Sequence, residues 1–314
     1  MKKILITGSN GLLGQKLVRA VGDKKEFSAV AVSKGDCRVQ NPGVPYESLD
    51  ITDRDRLAEV LGRHRPQTII HTAALTHVDL CEKEKDLCWK VNVEAVEELV
   101  SLCQKKGIHL IHLSTDFIFD GKAGPYREED KPNPLSHYAE SKWESEKVVS
   151  SSRKPWTIVR TILLYGAGEN LGRTNIVLWA KENLEKGRPI QVVTDQFRAP
   201  TLAEDLAGAC LAAASKNATG IFHVAGKDLM SIIELVKKVA EVFKFDPSLI
   251  EPTTSEALGQ AARRPANTGF VIDKAVKVLG YQPHSFREGL EIVKKQLHSS
   301  TPHPPLSPKG RGKG

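Results

Sequence analysis

The chain has 314 residues, 40% hydrophobic and 26% charged, which is the balance of a globular protein with room for one large unit or two interlocked ones. Of its formal net charge of +7, Lys309, Arg311 and Lys313 in the tail SSTPHPPLSPKGRGKG (299–314) carry three, and the +4 left over is too thinly spread to mark a nucleic-acid partner. No run approaches the roughly 18 apolar residues of a membrane span, and the apolar part of MKKILITG falls short of the h-region of about 7 residues in a signal peptide, so a cytoplasmic protein without a membrane partner is expected.

In chain order, β-branched runs predict strands at ILIT (4–7), SAVAV (28–32), TIIHT (68–72), IHLIHLS (108–114) and TIVRT (157–161). Helical spacing separates them, with Leu13, Leu17 and Val21 on one helix and Leu87, Val91, Val96, Leu99, Val100 and Cys103 on a longer one. This alternation predicts an α/β fold, a Rossmann-type doubly wound parallel sheet over residues 1–165. Later returns of the chain to that sheet are expected at about 190–225. Beyond residue 165, helices are expected at 174–186, 202–215, 231–243 and 286–297, and strands at 190–193 and 221–225. They read as a smaller C-terminal α/β substrate lobe, mainly 166–298. The Pro- and Ser-rich basic tail, 299–314, reads as disordered.

Five cysteines, Cys37, Cys81, Cys88, Cys103 and Cys210, are scattered without a C-x-x-C pair. Reduced buried thiols are expected, and no metal site. His71, His77, His109 and His112 flank strands and read as packing or hydrogen-bonding groups. Asp79, Glu82, Glu140, Glu144 and Glu146 read as helix surface.

ITGSNGLLGQKLV places Gly8, Gly11 and Gly14 between the first strand and its helix. Gly8 suits a sharp turn, Gly11 a close approach of backbone to a pyrophosphate, and Gly14 tight packing of helix on strand. The helix N-terminus would offer N–H groups and a partial positive charge to the anion, so Gly8, Ser9, Asn10, Gly11, Leu12, Leu13 and Gly14 form the candidate cofactor cradle. At the end of the second strand, where an acid would bind an adenosine ribose, stand Ser33 and Lys34, with Arg38 behind them and Asp36 as the rival. A 2′-phosphate fits this set better, so NADPH is expected, with NADH as the alternative.

Tyr138 and Lys142 in YAESK lie one turn apart on a helix face. A phenol delivers the proton that hydride transfer to a carbonyl requires, and a nearby ammonium lowers its pKa from about 10. Thr115, at the end of a neighbouring strand, completes a catalytic set as the hydroxyl that orients the substrate oxygen, with Ser114 next to it. The Y-x-x-x-K spacing alone is common by chance; joined to the glycine turn and the strand-end hydroxyl in this order, it is informative.

Gly8-x-x-Gly11-x-x-Gly14 with Tyr138-x-x-x-Lys142 resembles the extended short-chain dehydrogenase/reductase superfamily over residues 2 to about 298. The resemblance implies that Asp50 and Ile51 in LDITD border the adenine and that Ala73 and Ala74 in HTAALTHVD line the cofactor. It also implies that Lys142 binds the nicotinamide ribose beside Tyr138. Thr115-Asp116-Phe117 lacks the glutamate of sugar-nucleotide dehydratases. STDFIFDG, PLSHYAESKWESE, VRTILLYG, DQFRAPTLAEDLA and RRPANTGFVID instead resemble, in order, dTDP-4-dehydrorhamnose reductases. That subfamily reduces the C4 ketone of a nucleotide-linked 4-keto-6-deoxysugar, which implies Ser114 and Asp116 as substrate contacts. Arg198 and Arg264 suit a nucleotide diphosphate by charge and shape. Phe117 stands for a usual tyrosine, Leu163 for a frequent tryptophan and Arg198 for a frequent glycine, which leaves the sugar open. The same motifs occur in the non-catalytic regulatory subunit of methionine adenosyltransferase, and a sugar-nucleotide epimerase is a third reading. The expected partner is a nucleotide sugar, and a homodimer is compatible.

Overall fold

The computed structural model describes residues 1–299, so from residue 300 on the disordered basic tail expected above lies outside the described residues. β1 (Lys2–Thr7) runs into α1 (Leu12–Gly22), followed by β2 (Phe27–Ser33), β3 (Tyr46–Ser48), α2 (Arg54–His64) and β4 (Thr68–His71). Short helices α3 (Val78–Lys83) and α4 (Lys85–Trp89) lead into α5 (Ala95–Lys106), β5 (His109–Thr115), α6 (His137–Ser150) and β6 (Trp156–Thr161). The second half comprises β7 (Leu164–Tyr165), α7 (Ile176–Glu185), β8 (Ile190–Val193), β9 (Phe197–Arg198), β10 (Thr201–Leu202) and α8 (Ala203–Lys216). It ends with β11 (Gly220–Val224), β12 (Met230–Ser231), α9 (Ile232–Phe243), β13 (Ile250–Thr253) and α10 (Phe286–Ser299).

Seven strands form one sheet in the order β3-β2-β1-β4-β5-β6-β11. Every pairing in it is parallel. This is the doubly wound Rossmann-type sheet that the strand–helix alternation predicts. The chain winds outward from β1 through β2 and β3, then restarts beside β1 with β4, so the switch point lies between β1 and β4. In such sheets ligands bind at the carboxyl ends of the strands at that point.

Alternate residues of β1 face opposite sides. Ile4 and Ile6 pack with Leu17 of α1 and Leu206 of α8, whereas Leu5 packs with Leu57 of α2 and Leu99 of α5. Both faces are covered, which explains why the strands read as continuous apolar runs rather than alternating ones. After β6 the chain leaves the sheet, then returns with α8 and β11. β8 does not join it and pairs with β13 instead. A separate apolar cluster, including Val177, Ile190, Leu235, Val239, Phe286 and Leu290, holds α7, α9 and α10 together. Among the described residues, no helix is long and apolar enough to cross a membrane.

The long helix expected through 87–103 is interrupted. Lys90–Glu94 form a π-helical turn, and Leu87, read as part of its apolar stripe, is 46% exposed. The turn carries Asn92 inward, where Oδ1 accepts from Leu75 N at 2.8 Å and Nδ2 donates to Ser141 Oγ at 3.0 Å. The wide turn thus ties the loop after β4 to α6, a use for which such turns recur at functional sites. Cys37 is exposed, unlike the other four cysteines, so the expectation of buried thiols is corrected at that position.

Candidate active site

Gly8 follows β1 with φ +66° and lies so close to the loop after β4 that a Cβ there would come within 2.6 Å of Ala73 N. A Cβ on Gly14 would strike Gly8 O, whereas one on Gly11 would meet only Gly8 O, at 3.3 Å. The first and third glycines therefore close the turn on the sheet and the second faces outward. Gly11 is the N-cap of α1 and supplies no side-chain cap, so the first N–H groups of that helix are left for another acceptor. Ser9 Oγ, buried beside them, has no hydrogen-bond partner. An uncapped helix start, an orphan hydroxyl and a close-packed glycine turn at the switch point fit a dinucleotide pyrophosphate. Leu12 is half-buried and Leu13 buried, the latter in the core under α1.

Asn10 does more than line the turn. Its Nδ2 donates to Asp36 O at 2.8 Å and its Oδ1 accepts from Arg38 N at 2.9 Å, fixing the loop that follows β2. At the head of that loop Ser33 is half-buried and Lys34 exposed. Lys34 Nζ lies 2.8 Å from Asp50 Oδ2, and this contact holds the Asp50 carboxyl down to about 2. Two residues expected to contact the adenosine end thus meet each other, with Ile51 half-buried beside Asp50. Ala73 and Ala74 lie in the half-buried loop after β4, across from Gly8.

Sequence reading missed the segment 166–175, which runs from β7 to α7 past this cradle. Gln15 on α1 accepts from Glu169 N at 2.8 Å and donates to Glu169 O at 2.7 Å. Arg19 pairs with the Glu169 carboxylate at 2.6 Å, and Arg173 donates to Thr76 O at 2.7 Å. Nothing in the local sequence marks these contacts, because each joins residues roughly a hundred or more positions apart.

The second half of the site is built by α6 and the end of β5. Ser136 caps α6, its hydroxyl accepting from Ala139 N at 3.3 Å, so the helix begins one residue before Tyr138. Tyr138, Lys142, Ser145, Glu146 and Val149 are buried along one side, at the three- and four-residue spacing of a helix face. Tyr138 hydrogen-bonds Thr115 and meets Phe117 edge-on at 6.1 Å. Burial pushes the phenol above its ordinary value, with the Thr115 hydrogen bond opposing it. This corrects the expectation that Lys142 depresses it. The Lys142 ammonium instead points at His112, with Nζ 3.1 Å from Nε2, and burial lowers its own pKa to about 8.

Thr115 Oγ1 donates to Asp116 Oδ1 at 3.1 Å and accepts from Phe117 N at 3.2 Å. Asp116 is buried, and burial pushes its carboxyl up against the opposing charge of Arg198, whose Nε lies 3.6 Å away. Thr268 donates to its other oxygen. Ser114 Oγ is buried without a partner.

Three readings of charged residues need correction. Arg198 is buried at 2% exposure, and its guanidinium donates to Phe197 O at 2.7 Å, Ala266 O at 3.1 Å and Pro265 O at 2.6 Å. It is a pin for the 265–268 segment rather than a free phosphate clamp. Arg264 donates to Asp79 Oδ2 at 2.7 Å and Ala262 O at 3.1 Å, so Asp79 is an internal tie and not helix surface. Glu146 is 1% exposed and bonds Arg160 through both oxygens, with Nη2 to Oε2 at 2.8 Å. Helical spacing alone did not reveal these partners. Among the described residues, no group of three or more His, Cys, Asp or Glu is placed to hold a metal ion.

Residues 1–299 match the family described as RmlD substrate binding domain. The probable low-salt glycan biosynthesis reductase of Haloferax volcanii is 31% identical over 92% of this chain and 96% of its own. The methionine adenosyltransferase 2 subunit beta of Xenopus tropicalis is 29% identical over 92% of this chain and 86% of its own. The crystal structure of dTDP-4-dehydrorhamnose reductase from Bacillus anthracis, in complex with NADP, superposes with a TM-score of 0.80 at 29% identity, covering 94% of this chain and all of that one.

Proposed function

Because the chain belongs to the RmlD substrate binding domain family, we propose that it is an NADPH-dependent reductase of a nucleotide-linked 4-keto-6-deoxysugar, with dTDP-4-dehydro-L-rhamnose as the substrate to test first. The observation that carries this reading is geometric: Tyr138 and Lys142 are buried on one face of α6, with Thr115 buried at the carboxyl end of β5. A reductase needs an acid to quench a developing alkoxide, and a phenol at this place can supply the proton.

The cofactor would supply a hydride to the ketone carbon. Gly8 to Gly14 and the start of α1 would hold its pyrophosphate, and Ser33, Lys34, Asp50 and Ile51 its adenosine end. Ala73 and Ala74 would line it. Tyr138 delivers its phenolic proton to the ketone oxygen. Thr115 orients that oxygen, and Lys142, one turn behind on α6, reaches for the ribose. Ser114 and Asp116 stand at the same strand end as sugar contacts. The NADP complex of the Bacillus anthracis reductase supports the choice of NADPH.

NADPH oxidation followed at constant protein, with the keto sugar generated in situ, tests this directly. Wild type should turn over, and Tyr138→Phe should lose about two to four orders of magnitude, the usual worth of a positioned acid. Full turnover in the variant would remove Tyr138 from the mechanism. The likeness to methionine adenosyltransferase 2 subunit beta supports a second reading, that of a cofactor-binding regulatory subunit. On that reading the chain binds NADPH, reduces no sugar nucleotide and forms a stable complex with a methionine adenosyltransferase.

A further inference from the structure

His112 lies in β5, three residues before Thr115, and is fully buried. Its Nε2 is 3.1 Å from Lys142 Nζ. A charged lysine can only donate, so opposite the ammonium the imidazole accepts, is neutral, and carries its proton on Nδ1. Ser145 Oγ stands 3.0 Å from the same nitrogen, but its single proton is directed to Lys142 O at 2.8 Å. The lone pair of Nε2 is left to the ammonium. His112 Nδ1 has no hydrogen-bond partner among the described residues. A ring that merely filled space would be better replaced by a leucine, since a buried unpaired N–H is unfavourable.

His71 sets the ring from behind. It is in register with His112 on the adjacent strand and stacks on it at 5.4 Å and 18°, while its Nδ1 bonds Thr7 Oγ1 at 2.8 Å. Burial, and secondarily the charge of Lys142, pushes both imidazoles well below their ordinary values, that of His71 to about 3. Both therefore stay neutral through the physiological range.

We propose that His112 is a positioning residue for Lys142, its Nε2 lone pair holding the buried ammonium charged and one helical turn from Tyr138. The other titratable or charged groups around this contact do not take that place. Glu146, one turn further along α6, favours the ammonium by its charge, but its carboxylate is bonded at both oxygens by Arg160 of β6. Cys88 of α4 also acts on Lys142 by charge, yet its thiol is hydrogen-bonded to Ser141 Oγ at 3.4 Å. Tyr138 bonds Thr115, and His71 faces the His112 ring rather than Nζ.

The link to catalysis rests on the reductase reading, whereas the state of Lys142 does not, and the test separates them. In full-length protein carrying 13C at lysine Cε, the Lys142 signal is assigned by its loss in Lys142→Arg and followed against pH. His112→Leu should move its titration lower by about one pH unit or more, because a hydrogen bond to the charged form is gone. The alkaline limb of NADPH-dependent turnover should move with it. His112→Gln, whose amide oxygen reaches near the place of Nε2, should restore both. His112→Phe serves as the apolar variant should the leucine protein not fold. An unchanged Lys142 titration in a folded apolar variant overturns the proposal. A shifted titration without turnover on any sugar nucleotide, in wild type as well, upholds it and sinks the reductase reading instead.

Discussion

At the scale of single residues, the site keeps a charge where burial opposes it. Lys142 falls from 10.5 in a free side chain to about 8 in the fold, chiefly through burial. The unfolded chain therefore binds more protons between these values, and stability rises with pH across that window. Below pH 8 the buried ammonium costs the fold about 3 kcal/mol by this shift. Lys142→Met should accordingly abolish turnover while raising stability at pH 7 by roughly 1–3 kcal/mol, a trade expected where a function needs an unfavourable group. Chemical denaturation at pH 7 and pH 10 checks it. The variant's advantage should shrink at the higher pH, and a Lys142→Met protein less stable than wild type at pH 7 would contradict the burial argument. Tyr138 and Lys142 were legible in the sequence because they are four apart on one helix. His112 was not, because the contact crosses from strand to helix over 30 positions and its neighbours read as an apolar run.

At the scale of elements, the β1–α1 turn separates two uses of glycine. Gly14 is required by packing, since its Cβ position is occupied by Gly8 O and Ser9 backbone, whereas Gly11 sits at an open helix start. Gly14→Ala should lower stability by about 1–3 kcal/mol or more through overpacking, along with cofactor binding. Gly11→Ala should leave the melting temperature within a few degrees of wild type and weaken NADPH binding, because the added methyl would stand where the pyrophosphate is proposed to approach. Thermal unfolding with and without NADPH distinguishes them, and equal loss of stability in both would refute the division. Glycine spacing between a strand and an amphipathic helix marked the close-packed β1–α1 turn in the sequence. It did not show the 166–175 segment, whose ties through Gln15, Arg19 and Arg173 depend on the sheet having already formed. Nor did it show the π-helical turn that brings Asn92 inward, since a one-residue widening leaves the apolar period nearly unchanged.

At the scale of the whole molecule, local periodicity carried the sheet, together with helices α7 to α10 and strands β8 and β11 of the second half, and failed at the shortest strands there. Strands β1, β2, β4, β5 and β6 are long, apolar and separated by helices, so the doubly wound order follows from their alternation. The two-residue strands β7, β9, β10 and β12 have no sequence signature of their own, and they join segments that interlock across the 160–290 region. Arg198 shows the consequence. It reads as a cationic clamp from its side-chain chemistry, yet the fold buries it under the 265–268 backbone and beside Asp116, linking the late part of the chain to the end of β5. On the proposed function, phosphate contacts for a nucleotide sugar would therefore come from other groups than Arg198. On the proposed function this cleft passes a hydride to a sugar ketone while Tyr138 passes the proton. Mass spectrometry of the sugar nucleotide formed from dTDP-4-dehydro-L-rhamnose and NADPH deuterated at C4 of the nicotinamide, on the transferred face, measures this directly. One deuterium in the product formed by wild type, and no product from Tyr138→Phe on the same timescale, is the result predicted. Bound NADPH with no labelled sugar under any condition would contradict it.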